Sequence, residues 1–322
     1  MKPYIDQGPI NCDIDIDTNN VKGKTAIVTG GANGIGEAYV RALSKAGAYV
    51  LIADVAEGDG ERLAQELGRQ LLSPATSSVR FVKCDVSSWR DQVAVFKEAS
   101  SFSPSGRIDI VIPNAGIAAP IDSIFSTNVE DIEPEEPKMK VISINLTGVL
   151  YTVKLALHYF RRQNASNTGD DLDQVLILQG SLAGFIAIPR SVEYTTSKWG
   201  ARGIFRTLRE TEFQHNVRVC YIAPTFIHTK FLSDDLVQLL NVSHVEYATV
   251  EDAAGAVMRI VTDSSVQGRA LAIAPRSLAP RGYLDLCDDN KEGSAVYPLI
   301  AESLGKLGLL YRADLPAGKP DM

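Results

Sequence analysis

Several things are scarce in this chain, and each scarcity removes a class of function. Its four cysteines, Cys12, Cys84, Cys220 and Cys287, are scattered with no CxxC spacing. Neither a zinc ribbon nor a disulfide framework is suggested, and reduced thiols are the simplest reading. No metal site is expected. Positive charge is short as well: 32 Lys and Arg against 39 Asp and Glu leave a net charge of −7. That balance offers no basic field to nucleic acid or to anionic lipid. No apolar run reaches the roughly 18 residues that a spanning helix needs, so no membrane segment is expected. The opening MKPYIDQGPINCDIDID is polar and acidic, without an apolar signal core or an Arg-rich amphipathic pattern. No targeting peptide is read there, and the cytoplasm is the default compartment. Internal repeats and low-complexity tracts are lacking too.

What the chain has is alternation. It is 322 residues long, 45% hydrophobic and 22% charged, ordinary proportions for a globular chain with a sizeable core. Apolar runs at 24–29, 49–53, 79–84, 108–113, 175–179, 217–222 and 270–274 read as buried strands. Between them, 34–46, 60–71, 90–101, 139–162, 191–213 and 250–262 carry helical periodicity. Uniformly apolar strands separated by helix-length segments predict a parallel sheet covered on both faces. With right-handed crossovers this is an α/β, doubly wound Rossmann fold with a seven-stranded parallel sheet. We expect one domain over 21–275, a loose N-terminal arm at 1–20, and a C-terminal extension at 276–322 with a helical stretch near 297–311. Residues 117–137 are acidic and Pro-containing, and read as a long surface connection.

The run TAIVTGGANGIGEA combines a strand, a glycine-rich turn and a helix start. Gly30 permits the tight turn, while Gly34 and Gly36 let the backbone approach a pyrophosphate and the helix pack on the sheet. The helix N-terminus then directs amide hydrogens at the phosphates. Its place on the first strand and first helix is the context that gives the motif weight. The second strand ends at Asp54, 18 residues after Gly36. A carboxylate there accepts hydrogen bonds from the adenosine ribose and repels a 2′-phosphate. No Arg or Lys stands in the loop 31–35 or just after Asp54, so NAD is expected rather than NADP. Asp54 can also cap the following helix, and the two readings are compatible.

In YTTSK, Tyr194 and Lys198 are four apart on a helical segment and share one face. A phenol titrates near 10 and is a poor base at neutral pH. A nearby ammonium, with the positive nicotinamide of an oxidised cofactor, is expected to lower it. Thirteen residues upstream, Ser181 follows the strand VLILQG at its carboxyl end. Ligands bind at that end of open α/β sheets, and a serine there can hold a substrate oxygen beside the tyrosine.

TGGANGIG (29–36), CDV (84–86), NAG (114–116), INLTG with Asn145, Ser181, YTTSK (194–198) and APTFIHT (223–229) occur in order along residues 22–275. This set resembles the short-chain dehydrogenase/reductase family. The resemblance implies Tyr194 as general acid/base, with Lys198 lowering its pKa and binding the nicotinamide ribose. It further implies that Ser181 positions the substrate oxygen and that Asn145 holds a proton-relay water. By the same match Asp85 would contact adenine, Asn114 would support the central strand, and Ile227 and Thr229 would meet the nicotinamide carboxamide. Asn33, Ile35, Val86, Ala115, Gly116 and Pro224 complete the expected cofactor-binding set. Within the family, GRIDIVIPNAG, SLAGFIAIP and NVRVCYIAPTFIHTKFL resemble the hydroxyprostaglandin dehydrogenases and the fungal alcohol dehydrogenases of secondary metabolism, the hydroxyaverantin dehydrogenases among them. The implied reaction is hydride transfer between nicotinamide and a secondary alcohol or its ketone, on a bulky apolar small molecule. A carbonyl reductase running the other way and a non-catalytic dinucleotide-binding regulator are the alternatives.

Three departures from the family pattern stand out. Pro113 precedes NAG where Asn is usual, so it should sit where the strand ladder ends. Thr225 follows Pro224 where Gly is usual. The interval from Asn114 to Asn145 is long and holds the acidic loop. Family members commonly pair the two long helices across a two-fold, so a homodimer or homotetramer through 139–162 and 191–213 is expected. Residues 225–248 carry Phe226, Ile227, Phe231, Leu232, Leu236, Val237, Leu239 and Leu240 at amphipathic-helix spacing, which we read as a lid over the site. Trp89 and Trp199 read as packing residues, His228 as an exposed loop histidine, and Glu130, Asp131, Glu133, Glu135 and Glu136 as a solvated loop.

Overall fold

Alternate residues of each central strand part to opposite faces of one sheet, as the period of two requires. The structure is a computed structural model that describes residues 8–69, 78–119, 122–125, 130, 132–169 and 172–287. Its strands are β1 (Thr25–Thr29), β2 (Tyr49–Asp54), β3 (Val79–Lys83), β4 (Ile110–Pro113), β5 (Gln174–Gln179), β6 (Val217–Pro224), β7 (Ala270–Ile273) and β8 (Tyr283–Asp285). The helices are α1 (Gly34–Lys45), α2 (Glu57–Arg69), α3 (Trp89–Phe102), α4 (Lys140–Ile142), α5 (Val149–Ser166), α6 (Val192–Arg209), α7 (Asp234–Val242) and α8 (Val250–Thr262). Ile27, Leu51, Val111 and Leu176 pack with Phe96, Val153, Phe160 and Phe205 of α3, α5 and α6. Val28, Ile52, Ile112 and Ile177 pack with Val40, Leu43, Leu63 and Val257 of α1, α2 and α8. Each such aliphatic side chain withdrawn from water is worth about 1.5–3 kcal/mol.

The strand order is β3-β2-β1-β4-β5-β6-β7-β8. The chain steps outward from β1 to β3 and then returns to β4 on the other side of β1. This reversal opens a crevice at the carboxyl ends of β1 and β4, where such sheets take ligands. Pro113 is the last residue of β4, opposite Thr29, so its missing N–H falls where the ladder stops, as expected.

The expected sheet had seven strands; among the described residues there are eight, and the last runs antiparallel to β7. Only three residues long, β8 carries too little pattern to be read from sequence. A buried ion pair holds it: Arg269 Nε and Nη2 donate to Asp285 Oδ2 and Oδ1 at 2.9 and 2.6 Å. The arm is not loose over residues 8–20. Ile10 N donates to Asp285 Oδ2 at 2.9 Å, Asn20 Nδ2 to the Thr262 carbonyl at 3.1 Å, and Arg281 pairs with Asp15 at 2.8 Å. The helical stretch read near 297–311 lies outside the described residues.

The helix read over 139–162 is continuous from Lys140 to Ser166 but holds a π-helical turn, Ser143–Gly148, between α4 and α5. By length and composition it is the one helix among the described residues able to cross a bilayer. Here Val149, Val153, Ala156 and Phe160 are buried against the sheet. Trp89 and Trp199, read as packing residues, are instead 44% and 46% exposed. Glu133, Glu135 and Glu136 are exposed, as a solvated loop requires; Asp131 is outside the described residues.

Candidate active site

The cofactor side is built by backbone. Gly30 has φ +63°, and a Cβ there would lie 2.7 Å from Ala115 Cα. A Cβ on Gly36 would lie 2.0 Å from the Gly30 carbonyl oxygen. Both positions therefore demand glycine. Asn33 caps α1 without a side-chain hydrogen bond, so the first-turn amides remain available to an anion. Asn114 ties this turn to β4: its N donates to Thr29 Oγ1 at 3.0 Å, and its Nδ2 to the carbonyls of Thr29 and Gly30, both at 2.9 Å. Ala115 N donates to the same Thr29 hydroxyl at 3.1 Å.

Asp54 closes the end of β2. Its Oδ2 accepts from Ala32 N and its Oδ1 from Ala56 N, each at 3.0 Å. The carboxylate thus braces the glycine turn and the approach to α2 together. Each oxygen keeps a lone pair for a ribose hydroxyl. The cradle that a Cβ would fill, the open helix terminus and this acceptor together fit a dinucleotide. Such a cofactor supplies hydride acceptance or donation when bound. Gly30, Asn33 to Gly36 and Asp54 would hold its phosphates and ribose.

Asp85 lies just past β3, where its Oδ1 takes Ser87 N and Oγ at 2.9 and 2.7 Å. Val86 is buried beneath Gly148. Pro224 ends β6. Ile227 is buried against α8 and bridged to Ala248, so any contact with a carboxamide would go through its main chain. The Thr229 side chain lies 3.7 Å from where a Cβ on Gly34 would stand. Thr225, the departure noted above, donates its N–H to Ile273 O at 2.9 Å, while its hydroxyl is buried without a partner among the described residues. His228 is exposed, 5.7 Å from the Tyr247 ring. A groove of about 810 Å³ borders Asn33, Gly34 and Thr229 beside α1 but does not include Tyr194.

Ser181, Tyr194 and Lys198 converge at the carboxyl end of β5. Ser181 Oγ accepts from Ala183 N at 3.1 Å, which leaves its proton free to point elsewhere. Burial raises the Tyr194 phenol above its ordinary value, and the Ser181 hydrogen bond draws it partly back. Lys198 is not among the groups that shift it. Lys198 Nζ sits 5.6 Å from the Tyr194 ring centroid and donates to the Gln179 carbonyl at 3.3 Å. Burial lowers its own pKa to about 8.

Asn145 occupies the π turn, a distortion that recurs at functional sites and that no helical periodicity announces. Its Oδ1 accepts from Ile117 N and its Nδ2 donates to Ile117 O, both at 2.8 Å. It therefore pins the chain leaving β4 beside Gly116, where a Cβ would stand 3.7 Å from Lys198 Nζ.

On the open side, the Phe231 ring lies 5.9 Å from the Tyr194 ring and is 42% exposed. The helix read within 225–248 exists as α7, but Leu240 is fully buried and Leu232 and Leu236 pack on the core. Only part of the expected lid faces the cleft. Two residues escaped sequence reading altogether. Asp122 and Glu193 meet from segments 71 residues apart, and no motif or spacing announces the contact.

The short chain dehydrogenase family model matches residues 24–237. A 5′-hydroxyaverantin dehydrogenase of Dothistroma septosporum is 35% identical, the match covering 87% of this chain and 92% of the relative. NADP-dependent dehydrogenase M3 of a Phoma species is 33% identical over 93% and 90%. A short-chain dehydrogenase/reductase structure from Mycobacterium marinum superposes with a TM-score of 0.67 at 22% identity, covering 82% of this chain and 99% of that one, and supports the fold. The chain belongs to the short-chain dehydrogenases, oxidoreductases acting on an alcohol or its ketone.

Proposed function

We propose that the protein uses NAD to oxidise a secondary alcohol on a bulky, mostly apolar molecule of secondary or lipid metabolism. The observation that carries this reading is the meeting of Ser181, Tyr194 and Lys198 beside the glycine turn that Asp54 braces. In it, Tyr194 Oη takes the hydroxyl proton of the substrate as the carbinol carbon gives up hydride. Ser181 donates to the same substrate oxygen and holds it within reach. Lys198 stands over the phenol and orients the nicotinamide ribose. General acid–base assistance of this kind is worth roughly 100- to 10,000-fold.

Half-exposed Phe231 stands beside Tyr194, an apolar side chain suited to a large apolar substrate. Likeness to a 5′-hydroxyaverantin dehydrogenase supports oxidoreduction of an alcohol. The name of the Phoma relative favours NADP instead. Asp54 and the lack of a basic residue at 31–35 or at Val55 argue for NAD. We further propose a homodimer or homotetramer through α5 and α6, where Leu150 and Trp199 lie 46% exposed; light scattering showing a monomer at micromolar concentration would remove that part. The reading as a whole is tested by following NADH formation over steroid, hydroxy fatty acid and polyketide alcohols. Oxidation of a bulky secondary alcohol is expected; inertness toward all of them would overturn it.

A further inference from the structure

We propose that Asp122 and Glu193 form a lock that positions Tyr194, and this rests on the acid/base role assigned to Tyr194 above. Helix α6 starts at Val192, and its own N-cap, Ser191, makes no side-chain cap hydrogen bond. The first-turn amide of Glu193 is bound instead by Asp122 Oδ2, at 2.7 Å, from the loop that follows β4. Asp122 Oδ1 accepts Ile124 N at 3.1 Å, so one carboxylate organises both its own loop and the start of the helix. Glu193 returns the bond. Its Oε2 accepts Ser123 N at 3.2 Å and Ser123 Oγ at 3.0 Å, at the head of the short 3₁₀ turn Ser123–Phe125. Each carboxylate caps the other's segment.

Both acids are buried, Asp122 to 7% and Glu193 to 4% exposure. Glu193 Oε1 is also buried with no hydrogen-bond partner among the described residues. An unpartnered buried acceptor is costly, so stability alone gives no reason for a carboxylate here. The geometry does. Tyr194 is the next residue, and the first turn of α6 decides where its phenol stands. Helix amides without a cap leave that turn free to fray. A displacement of about 1 Å at a reacting group can cost roughly 100-fold in rate. The same bonds tie the turn Ser123–Phe125 to the residue next to the proton-transfer group.

The test uses the full-length protein with NADH bound, comparing Asp122→Ala, Asp122→Asn, Glu193→Ala and Glu193→Gln. Three readouts are taken: amide hydrogen exchange at 193–197, NADH affinity by fluorescence, and turnover of α-tetralol with NAD. Both Ala variants should exchange about tenfold faster at 193–197 and lose about tenfold or more in kcat. NADH affinity and the KM for α-tetralol should stay within about twofold. Glu193→Gln keeps an oxygen for Ser123 and should recover most of the turnover. Wild-type kcat in the Ala variants, or equal loss in Glu193→Gln, would overturn the lock. Should the Ala variants fail to fold, Asp122→Asn, which retains one acceptor, decides: faster exchange with unchanged kcat contradicts positioning, and a matching partial fall in kcat supports it. Failure of the wild type to oxidise any alcohol would strike the functional reading instead, and exchange at 193–197 would still report on the lock.

Discussion

On the cofactor side of the cleft, Gly30, Gly34 and Gly36 lie within one short stretch and present main chain to a ligand. On the substrate side, Asp122, Ser181, Glu193 and Phe231 come together from distant segments and present side chains. The first arrangement follows from local steric rules: a residue that must adopt φ +63° or tolerate a contact of 2.0 Å is glycine wherever it occurs. The second depends on which loops the fold happens to bring together. Binding the common half of the reaction is therefore written locally, and choosing the particular half is written in tertiary contacts.

The strongest way to separate the two sides is Tyr194→Phe. It removes the proton acceptor and leaves the glycine turn untouched, so kcat should fall by roughly 100-fold or more while NADH affinity changes little. Retention of more than about a tenth of wild-type turnover would show that another group moves the proton.

Gly36→Ala attacks the other side. The added Cβ would press on the Gly30 carbonyl and the Asn114 amide at 2.0 and 2.6 Å, and such overpacking costs about 1–3 kcal/mol. NADH affinity should drop by roughly 10- to 100-fold, read by fluorescence titration. Unaltered affinity would mean that the turn is not the phosphate cradle.

A smaller effect is expected from Asp54→Ala combined with Val55→Arg. Losing a charge-assisted ribose hydrogen bond is worth about 1.5 kcal/mol, or roughly tenfold, against NAD. Removing the carboxylate also removes its repulsion of a 2′-phosphate. The ratio of kcat/KM values for NAD and NADP is the appropriate readout, because Asp54 also braces Ala32 and Ala56 and its loss will lower Tm regardless. An unchanged ratio would contradict the role given to Asp54.

The smallest change comes from Phe231→Ala. The ring is half exposed, so its removal should leave Tm nearly unaltered and raise KM for a bulky alcohol a few-fold. A fall in Tm with unchanged KM would make it a packing residue.

Much of the fold could be read beforehand because the strands are apolar throughout and their separation is helix-length. β8 could not: three residues, Tyr283–Asp285, hold their place through Arg269 and the arm at Ile10, partners far away in sequence. Ser181, Tyr194 and Lys198 were legible from spacing on a helix and after a strand. The π turn that carries Asn145 was not, since one extra residue in a turn leaves the apolar pattern almost unchanged. Nor was the meeting of Asp122 with Glu193, which needs a loop whose course no periodicity sets. The rise of the Tyr194 phenol had the same origin: sequence gives the neighbour Lys198, but burial, which dominates here, is a property of the folded chain.

The account turns on alcohol oxidation with NAD, and one comparison tests it most directly. Wild-type protein is given the same panel of bulky secondary alcohols with NAD and, separately, with NADP, and initial rates of reduced cofactor formation are recorded. The account predicts oxidation of at least one such alcohol with kcat/KM for NAD exceeding that for NADP by about tenfold or more, the worth of one charge-assisted hydrogen bond at Asp54. Equal use of both cofactors, or a preference for NADP, would contradict it.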